Sequence, residues 1–302
     1  MRAFYSDHFV LPLPDGHKFP MAKYFRLRER LLAEGIVSPA DLHEAPAASW
    51  DELRLVHDPA YVDAVAGGTV AGDIQRRIGF PWSPAMVERS RRSVGASIAA
   101  ARVALEEGVA ANLAGGTHHS FADRGEGFCV FNDVAVATRV LQQDHQARRV
   151  AIVDLDVHQG NGTAAIFRDD PSVFTFSMHG DKNFPFKKEV SDLDVALPDG
   201  TSDADYLAAL DRHLADVLNR HQPDFVFYLA GADPYEGDRL GRLKLTIGGL
   251  SRGDELVFAR CRAAKLPVAL SMGGGYATDI DAIVTIHSNT IRAAACHNIS
   301  DY

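Results

Sequence analysis

The sequence predicts a single α/β domain: a doubly wound, mostly parallel sheet with helices on both faces. Three observations predict it. Short apolar runs alternate with longer helical patterns along the chain, the signature of repeated strand–helix–strand units. Several runs are apolar at successive positions, as strands covered on both sides should be. The 302 residues are 46% hydrophobic and 24% charged, which suits a globular chain with a large core and argues against disorder, collagen and coiled coil.

The apolar runs fall at residues 111–114, 150–157, 172–178, 225–230 and 267–272. Helices fit between them. Ser83 and Pro84 read as N-cap and first-turn proline, and Gly108 as terminator, of a helix over 85–107. A second helix follows Asn132-Asp133, and a third covers about 205–221. A fourth is expected to begin at Ser251, where Ser251 and Asp254 have capping-box spacing. Phe80-Pro81-Trp82 is a possible break, but no linker accompanies it, so one domain over residues 1–302 is expected.

Charge and cysteine content exclude several classes. Lys and Arg number 31 against 40 Asp and Glu, a net charge of −9, so the basic footprint of a nucleic-acid binder is missing. An acidic field suits a cationic target, or mere solubility. Cys129, Cys261 and Cys296 form neither a disulfide framework nor a CxxC metal site, which points to a reducing compartment. No signal-peptide h-region and no membrane-length apolar run is visible, so a cytoplasmic location is expected. There is no GxSxG elbow, P-loop or Rossmann fingerprint.

Each apolar run ends in residues that carry chemistry. In order come Gly115-Gly116-Thr117-His118-His119, Asp154-Leu155-Asp156-Val157-His158, Ser177-Met178-His179, Ala230-Gly231-Ala232-Asp233 and Gly273-Gly274-Gly275-Tyr276. Open α/β sheets bind ligands at the carboxyl edge of their strands. Five such endings point to one site.

Asp154, Asp156 and His158 alternate, which on a strand puts them on one face. Carboxylates so placed repel unless a cation or donor satisfies them, so the choice lies between a salt-bridged strand end and a metal site. Asp233 before Pro234 reads alone as a turn residue, but beside that motif it becomes the candidate that would complete a metal site. Three protein ligands leave a catalytic zinc one open position. His118 and His119 suit proton transfer near a metal-bound water. Tyr276 is either a packing residue or an oxyanion donor. In the segment 125–133, Phe128 could wall a pocket, and Cys129 reads as a small buried hydrophobe.

Together these segments, with Gly127-Phe128-Cys129-Val130-Phe131-Asn132-Asp133 and Gln159-Gly160-Asn161-Gly162-Thr163, resemble the histone deacetylase superfamily in the family's order. The likeness runs from about Tyr5 to Ile283. The segments Glu236-Gly237-Asp238-Arg239-Leu240-Gly241 and Asp254-Glu255-Leu256-Val257-Phe258 are most similar to the class IV branch and its bacterial relatives. The resemblance implies the arginase-deacetylase fold with an eight-stranded parallel sheet and one catalytic zinc. It makes Asp156, His158 and Asp233 the zinc ligands, and His118 and His119 the proton-transfer pair. Asp154 then orients His118 and Asn161 partners His119; many relatives have Asp where this chain has Asn161, so His119 should be less basic. Tyr276 becomes the oxyanion donor, in a loop whose Gly274 borders the substrate, and Gly127 the substrate backbone contact. Phe128 and Phe184 match the walls of an acyl-lysine channel.

The same likeness implies structural potassium at one or two sites. Asp154, Ser177 and backbone carbonyls of Asp156, His158 and Met178 match the first, while Phe167 and Val173 lie at the second. A rim aspartate that grips the substrate backbone in several relatives is absent from Ile78-Gly79-Phe80-Pro81-Trp82, so the peptide should be held loosely. The insertion that occludes the site of acetylpolyamine amidohydrolases is also absent. A binuclear manganese centre would need further aspartates, and Asp238, the one close spare, lies outside the expected position. The expectation is a lysine deacylase acting on an acyl-lysine protein or peptide, with an acetylpolyamine or other small-amide amidohydrolase as the alternative. The intact set of residues argues against a non-enzymatic binder. A monomer or weak dimer is expected.

Overall fold

In the computed structural model, which describes residues 1–296, the apolar runs become parallel strands. Residues 297–302 of the expected domain lie outside the described residues. In chain order the strands are β1 (Ala3–Tyr5), β2 (Leu42–Glu44), β3 (Val109–Asn112), β4 (Val150–Asp154), β5 (Val173–Gly180), β6 (Leu193–Leu197), β7 (Phe225–Ala230) and β8 (Val268–Met272). Among the described residues they form one eight-stranded sheet in the order β2-β1-β3-β8-β7-β4-β5-β6, with every pair parallel.

The helices are α1 (Ala22–Ala33), α2 (Trp50–Leu53), α3 (Pro59–Gly67), α4 (Gly72–Ile78), α5 (Pro84–Glu107), α6 (Asp133–Gln143), α7 (Asn161–Phe167), α8 (Asp203–His221), α9 (Ile247–Ala263) and α10 (Ile280–Ala295). Strand side chains alternate between two cores. Val150, Ile152, Phe225 and Phe227 pack with the apolar residues of α5 and α6. Ala151, Val153, Val226 and Tyr228 pack with those of α8, α9 and α10. Period-two alternation of uniformly apolar strands is what makes both faces coverable. Phe80, placed at a possible break, is buried in the first of these cores.

Local signals set most helix ends. The Ser83 hydroxyl accepts the Met86 N–H at 3.1 Å, Pro84 opens α5, and Gly108 closes it at a positive φ of 85°. Asn132 caps α6 through the Ala135 N–H, and Ser202 caps α8. The fourth expected start is displaced. The helix begins at Ile247, because Thr246 accepts the Gly249 N–H at 2.9 Å and its own hydroxyl donates to Asp203 at 2.7 Å. Ser251 lies within the helix, and the Asp254 carboxylate is drawn into the core.

Two strands also stop earlier than expected. After Asn112 its side-chain oxygen takes the Ala114 N–H at 2.9 Å and turns the chain. After Asp154 the side chains of Asp154 and Asp156 accept the N–H groups of Asp156 and His158, replacing ladder partners. Because the sheet is all parallel, β3, β4, β5, β7 and β8 end on one edge. All five polar or glycine-rich endings therefore share it.

Candidate active site

The histidine pair is built first. The loop after β3 passes through Gly115 and Gly116, both at positive φ, and is held by the buried Asp133 carboxylate. That carboxylate accepts the N–H groups of Gly116 and Thr117 and the hydroxyls of Thr117 and Ser97. Asn132 donates to the Ser120 carbonyl, and Thr163 in α7 donates its N–H to the His118 carbonyl, so two helix starts clamp the loop.

The two rings lie 4.2 Å apart between centroids and differ electrostatically. His118 Nδ1 sits 2.6 Å from the Asp154 carboxylate. Burial lowers this imidazole, but Asp154 and Asp156 outweigh it and raise His118 to about 9. His119 Nδ1 sits 2.7 Å from Asn161 Oδ1, whose amide nitrogen donates to Glu126 at 2.9 Å. That chain fixes Nδ1–H as donor and leaves Nε2 to accept. Burial, then the charges of His118 and His158, hold His119 well below the usual range. The two imidazoles are thus pushed in opposite directions, His118 toward its charged form and His119 toward its neutral one.

Asp156 and His158, just beyond β4, meet Asp233, just beyond β7. Each offers one atom, and these atoms lie within 4.8 Å of one another, all buried. His158 Nδ1 is 2.8 Å from Asp156 Oδ1 and 3.2 Å from Asp233 Oδ2. The alternation read from sequence splits here: Asp154 turns to His118, while Asp156 and His158 join Asp233. Burial and the Asp156 charge push Asp233 up to about 7. Burial opposes the charged form of His158, yet its hydrogen bond to Asp156 and the adjacent Asp233 carboxylate raise it to about 10. Asp233 Oδ2 is buried without a hydrogen-bond partner of good geometry. Two buried carboxylates around one imidazole, with an orphaned oxygen among them, suit a cation whose binding releases the imidazole proton.

The tyrosine arrives on the loop after β8. Gly274 donates its N–H to Asp156 Oδ2 at 2.5 Å and its carbonyl accepts from Ala232. A Cβ at 274 would overlap the Asp233 carboxylate, so only glycine lets this loop reach the Asp156–His158–Asp233 cluster. The Tyr276 N–H donates to Asp238 Oδ2 at 2.6 Å, and its carbonyl accepts from Arg239 at 2.7 Å. Tyr276 is buried, and its phenol is pushed well above 10 by burial and by Asp156 and Asp233, so it is a donor.

A cavity of about 60 Å³ adjoins an outer pocket of about 340 Å³, and His119, Gly127, Phe128, His158 and Tyr276 line both. Phe128 is held at φ 65° by N–H donation to the Ile78 carbonyl at 2.8 Å. It packs on Phe80 and Phe19 at centroid distances of 5.3 and 5.4 Å. Phe184 stands edge-on to His119 at 4.9 Å and lines the outer pocket. Cys129 is buried with its thiol pushed well above 9 by burial, the small hydrophobe expected and not a nucleophile.

A family model described as the histone deacetylase domain matches residues 17–291. The chain belongs to the histone deacetylase family. It is a hydrolase of that family, with the arginase-deacetylase fold. An uncharacterised protein of Picosynechococcus sp. is 51% identical over 292 residues, covering 96% of this chain and 97% of that one. Histone deacetylase 2 of Arabidopsis thaliana is 32% identical over 269 residues, covering 86% of this chain and 70% of that one. The crystal structure of an HDAC homolog from Aquifex aeolicus superposes with a TM-score of 0.85 at 24% identity, covering 98% of this chain and 84% of that one.

The structure brings together His118, His119, Asp154, Asn161, Asp156, His158, Asp233, Gly127, Phe128, Phe184, Gly274 and Tyr276. Ser177 on β5 lies in register with Asp154, beside a cavity of about 10 Å³, with its hydroxyl 3.0 Å from His179 Nδ1. Met178 is the next residue on the same strand. Phe167 and Val173 bracket the turn between α7 and β5, where the Asp170 N–H donates to the Phe167 carbonyl. Sequence reasoning missed Glu126 behind Asn161 and Asp133 behind the histidine loop. It also left Asp238 as a spare acid. Both Asp238 oxygens are engaged, by the N–H groups of Leu240, Gly241 and Tyr276.

Proposed function

We propose that the chain is a zinc-dependent amidohydrolase that removes acyl groups, acetyl or longer, from the side-chain amine of lysine or a similar linear amide. The observation that carries this reading is a single convergence. The Asp156–His158–Asp233 cluster, the unlike histidine pair and Tyr276 meet where the Phe128 and Phe184 walls lead inward.

Asp156, His158 and Asp233 would hold the metal ion, which when bound polarises the amide carbonyl and acidifies the attacking water. The other steps belong to the chain. His119 Nε2 takes the water proton, and its reach is set by Asn161 and Glu126. His118, kept charged by Asp154, stabilises negative charge as it develops. Tyr276 donates its O–H to the carbonyl oxygen, with its backbone anchored by Asp238 and Arg239. The proton held on His119 returns to the departing amine. Phe128 and Phe184 strip water from an aliphatic stem, and Gly127 leaves room for it beside His119.

Asp154, Ser177 and the backbone at Met178 are our candidates for one structural potassium, with Phe167 and Val173 at a second. The small cavity beside Asp154 and Ser177 supports the first. We read residues 1–302 as one catalytic unit, nearest the class IV branch by its 236–241 and 254–258 segments, and monomeric or weakly dimeric. Among the described residues no helix is long and apolar enough to cross a membrane; the cytoplasmic assignment is our reading of the sparse, unpaired cysteines.

The test is a substrate panel of acyl-lysine peptides of several acyl lengths beside acetylated polyamines, with metal analysis of the same preparation. Acyl-lysine turnover with one zinc per chain is expected, and Asp233→Ala should lose both the metal and turnover. Full metal content and normal rate in that variant would overturn the ligand assignment. Acetylpolyamines better by orders of magnitude than every peptide would replace lysine as the substrate.

A further inference from the structure

The mouth of the site carries a charge pattern opposite to that of the chain. The protein has a net charge of −9, yet the charged side chains lining the outer pocket are Arg77, Lys182 and Arg242. Among the described residues no carboxylate lines it. The three cations come from separate segments: the last turn of α4, the turn after β5, and the loop beyond Asp238. Their side chains are 54%, 68% and 53% exposed.

The acids behind them do not cancel this charge. Arg77 lies 4.0 Å from Glu126, whose other oxygen already accepts from Asn161. Asp199 is shared, 3.3 Å from Arg242 and 3.9 Å from Lys182. Three exposed cations share two acids, with only Arg242 in hydrogen-bond reach of one, and such exposed pairs are weak enough to be exchanged for a ligand's carboxylates. Arg77 is also tied to the wall: its carbonyl accepts the Gly127 N–H at 2.9 Å. Beside these charges Phe186 lines the same pocket, 88% exposed.

Resting on the amidohydrolase reading, we propose that the rim selects acyl-lysine flanked by carboxylates, an acidic peptide, and disfavours acylated polyamines. A polyamine stem bears further ammonium groups a few bonds from its amide, and these would enter the pocket against three cations. An acidic peptide instead places carboxylates within reach of the same cations while Phe186 covers its apolar stem. The chain's distributed negative charge does not reverse this. At 0.1 M salt exposed charges beyond about 10 Å are largely screened, whereas the rim acts at contact.

The experiment measures kcat/KM for three peptides with one central acetyl-lysine and acidic, neutral or basic flanks, and for N-acetylspermidine, at low and high salt. The acidic peptide should exceed the basic one by about tenfold or more at low salt, in the range that charge complementarity gives association rates. Added salt should narrow the gap. Arg242→Glu and Arg77→Glu should each shrink or invert the acidic-to-basic ratio, which is read within each variant and so is independent of general loss of activity. Turnover of the neutral peptide with no ranking by charge would overturn the rim proposal and leave the amidohydrolase reading standing. So would a ranking that both reversals leave untouched. Turnover of no amide in the panel would overturn both.

Discussion

Tyr276 shows how one side chain is made functional by others. Its ring is buried beside the ligand cluster, and its main chain is tied to Asp238 and Arg239, so the phenol has little freedom left to lose. A donor fixed before reaction stabilises the transition state more than the bound substrate. Tyr276→Phe should therefore lower kcat by about 10²–10³ with a small change in KM. Steady-state kinetics on one acyl-lysine peptide checks this, and a variant within a few-fold of wild type would reduce the ring to packing. The tyrosine itself is readable from its glycine run. Asp238 is not, because nothing local in its segment shows that its carboxylate reaches a backbone N–H on another loop.

At the scale of elements, α9 separates a capping signal from the cap itself. The spacing of Ser251 and Asp254 suggests a helix start, yet Thr246 caps the helix and Asp254 is buried, accepting from Tyr228 of β7 and from Thr290 of α10 at 2.7 Å. Burial outweighs those two donors and pushes the Asp254 carboxyl up to about 7 from 3.8. The folded state thus binds this proton more tightly than the unfolded chain. Wild-type stability falls as pH rises from about 4 to 7 through this group, and the loss levels off above 7. Asp254→Asn lacks that term. Its Tm relative to wild type should rise across that window, whatever the offset at pH 4. Thermal melts of both proteins between pH 4 and 8 test this, and a flat difference would mean that Asp254 ionises freely in the fold. Capping sequence motifs mark candidates, but which candidate caps is decided by the elements packed alongside, here Asp203 of α8 holding Thr246.

At the scale of the molecule, the ligand cluster joins strand ends that are neighbours in the sheet, β4 and β7, though distant in sequence. A metal ion held there would bind the folded chain in preference to the unfolded one. Metal at about a hundred times its Kd would then add roughly 2.7 kcal/mol. Chelation should lower Tm by several degrees, and zinc should restore it. Exchange of potassium for a large organic cation should lower it further through the Asp154–Ser177 site. Asp233→Ala should be blind to the chelator. A wild-type Tm indifferent to both treatments would leave neither site a structural role.

The sequence by itself determined that this chain forms a covered parallel sheet, since runs such as 225–230 leave no polar face, and that five chemical endings succeed five strands. It also singled out Asp156, His158, Asp233 and the histidine pair, because carboxylates and imidazoles at buried strand ends are costly unless something pairs with them. The tertiary structure decided what depends on distant segments meeting. The short strands β1 and β2, three residues each, carry too few positions for a pattern and are specified by the neighbours they pair with. Asp133, Glu126 and Asp238 act through backbone and side-chain groups on other loops. The charge of the mouth is the clearest case. Composition gave an acidic chain, but Arg77, Lys182 and Arg242 come from three separate segments, and only folding gathers them around one pocket.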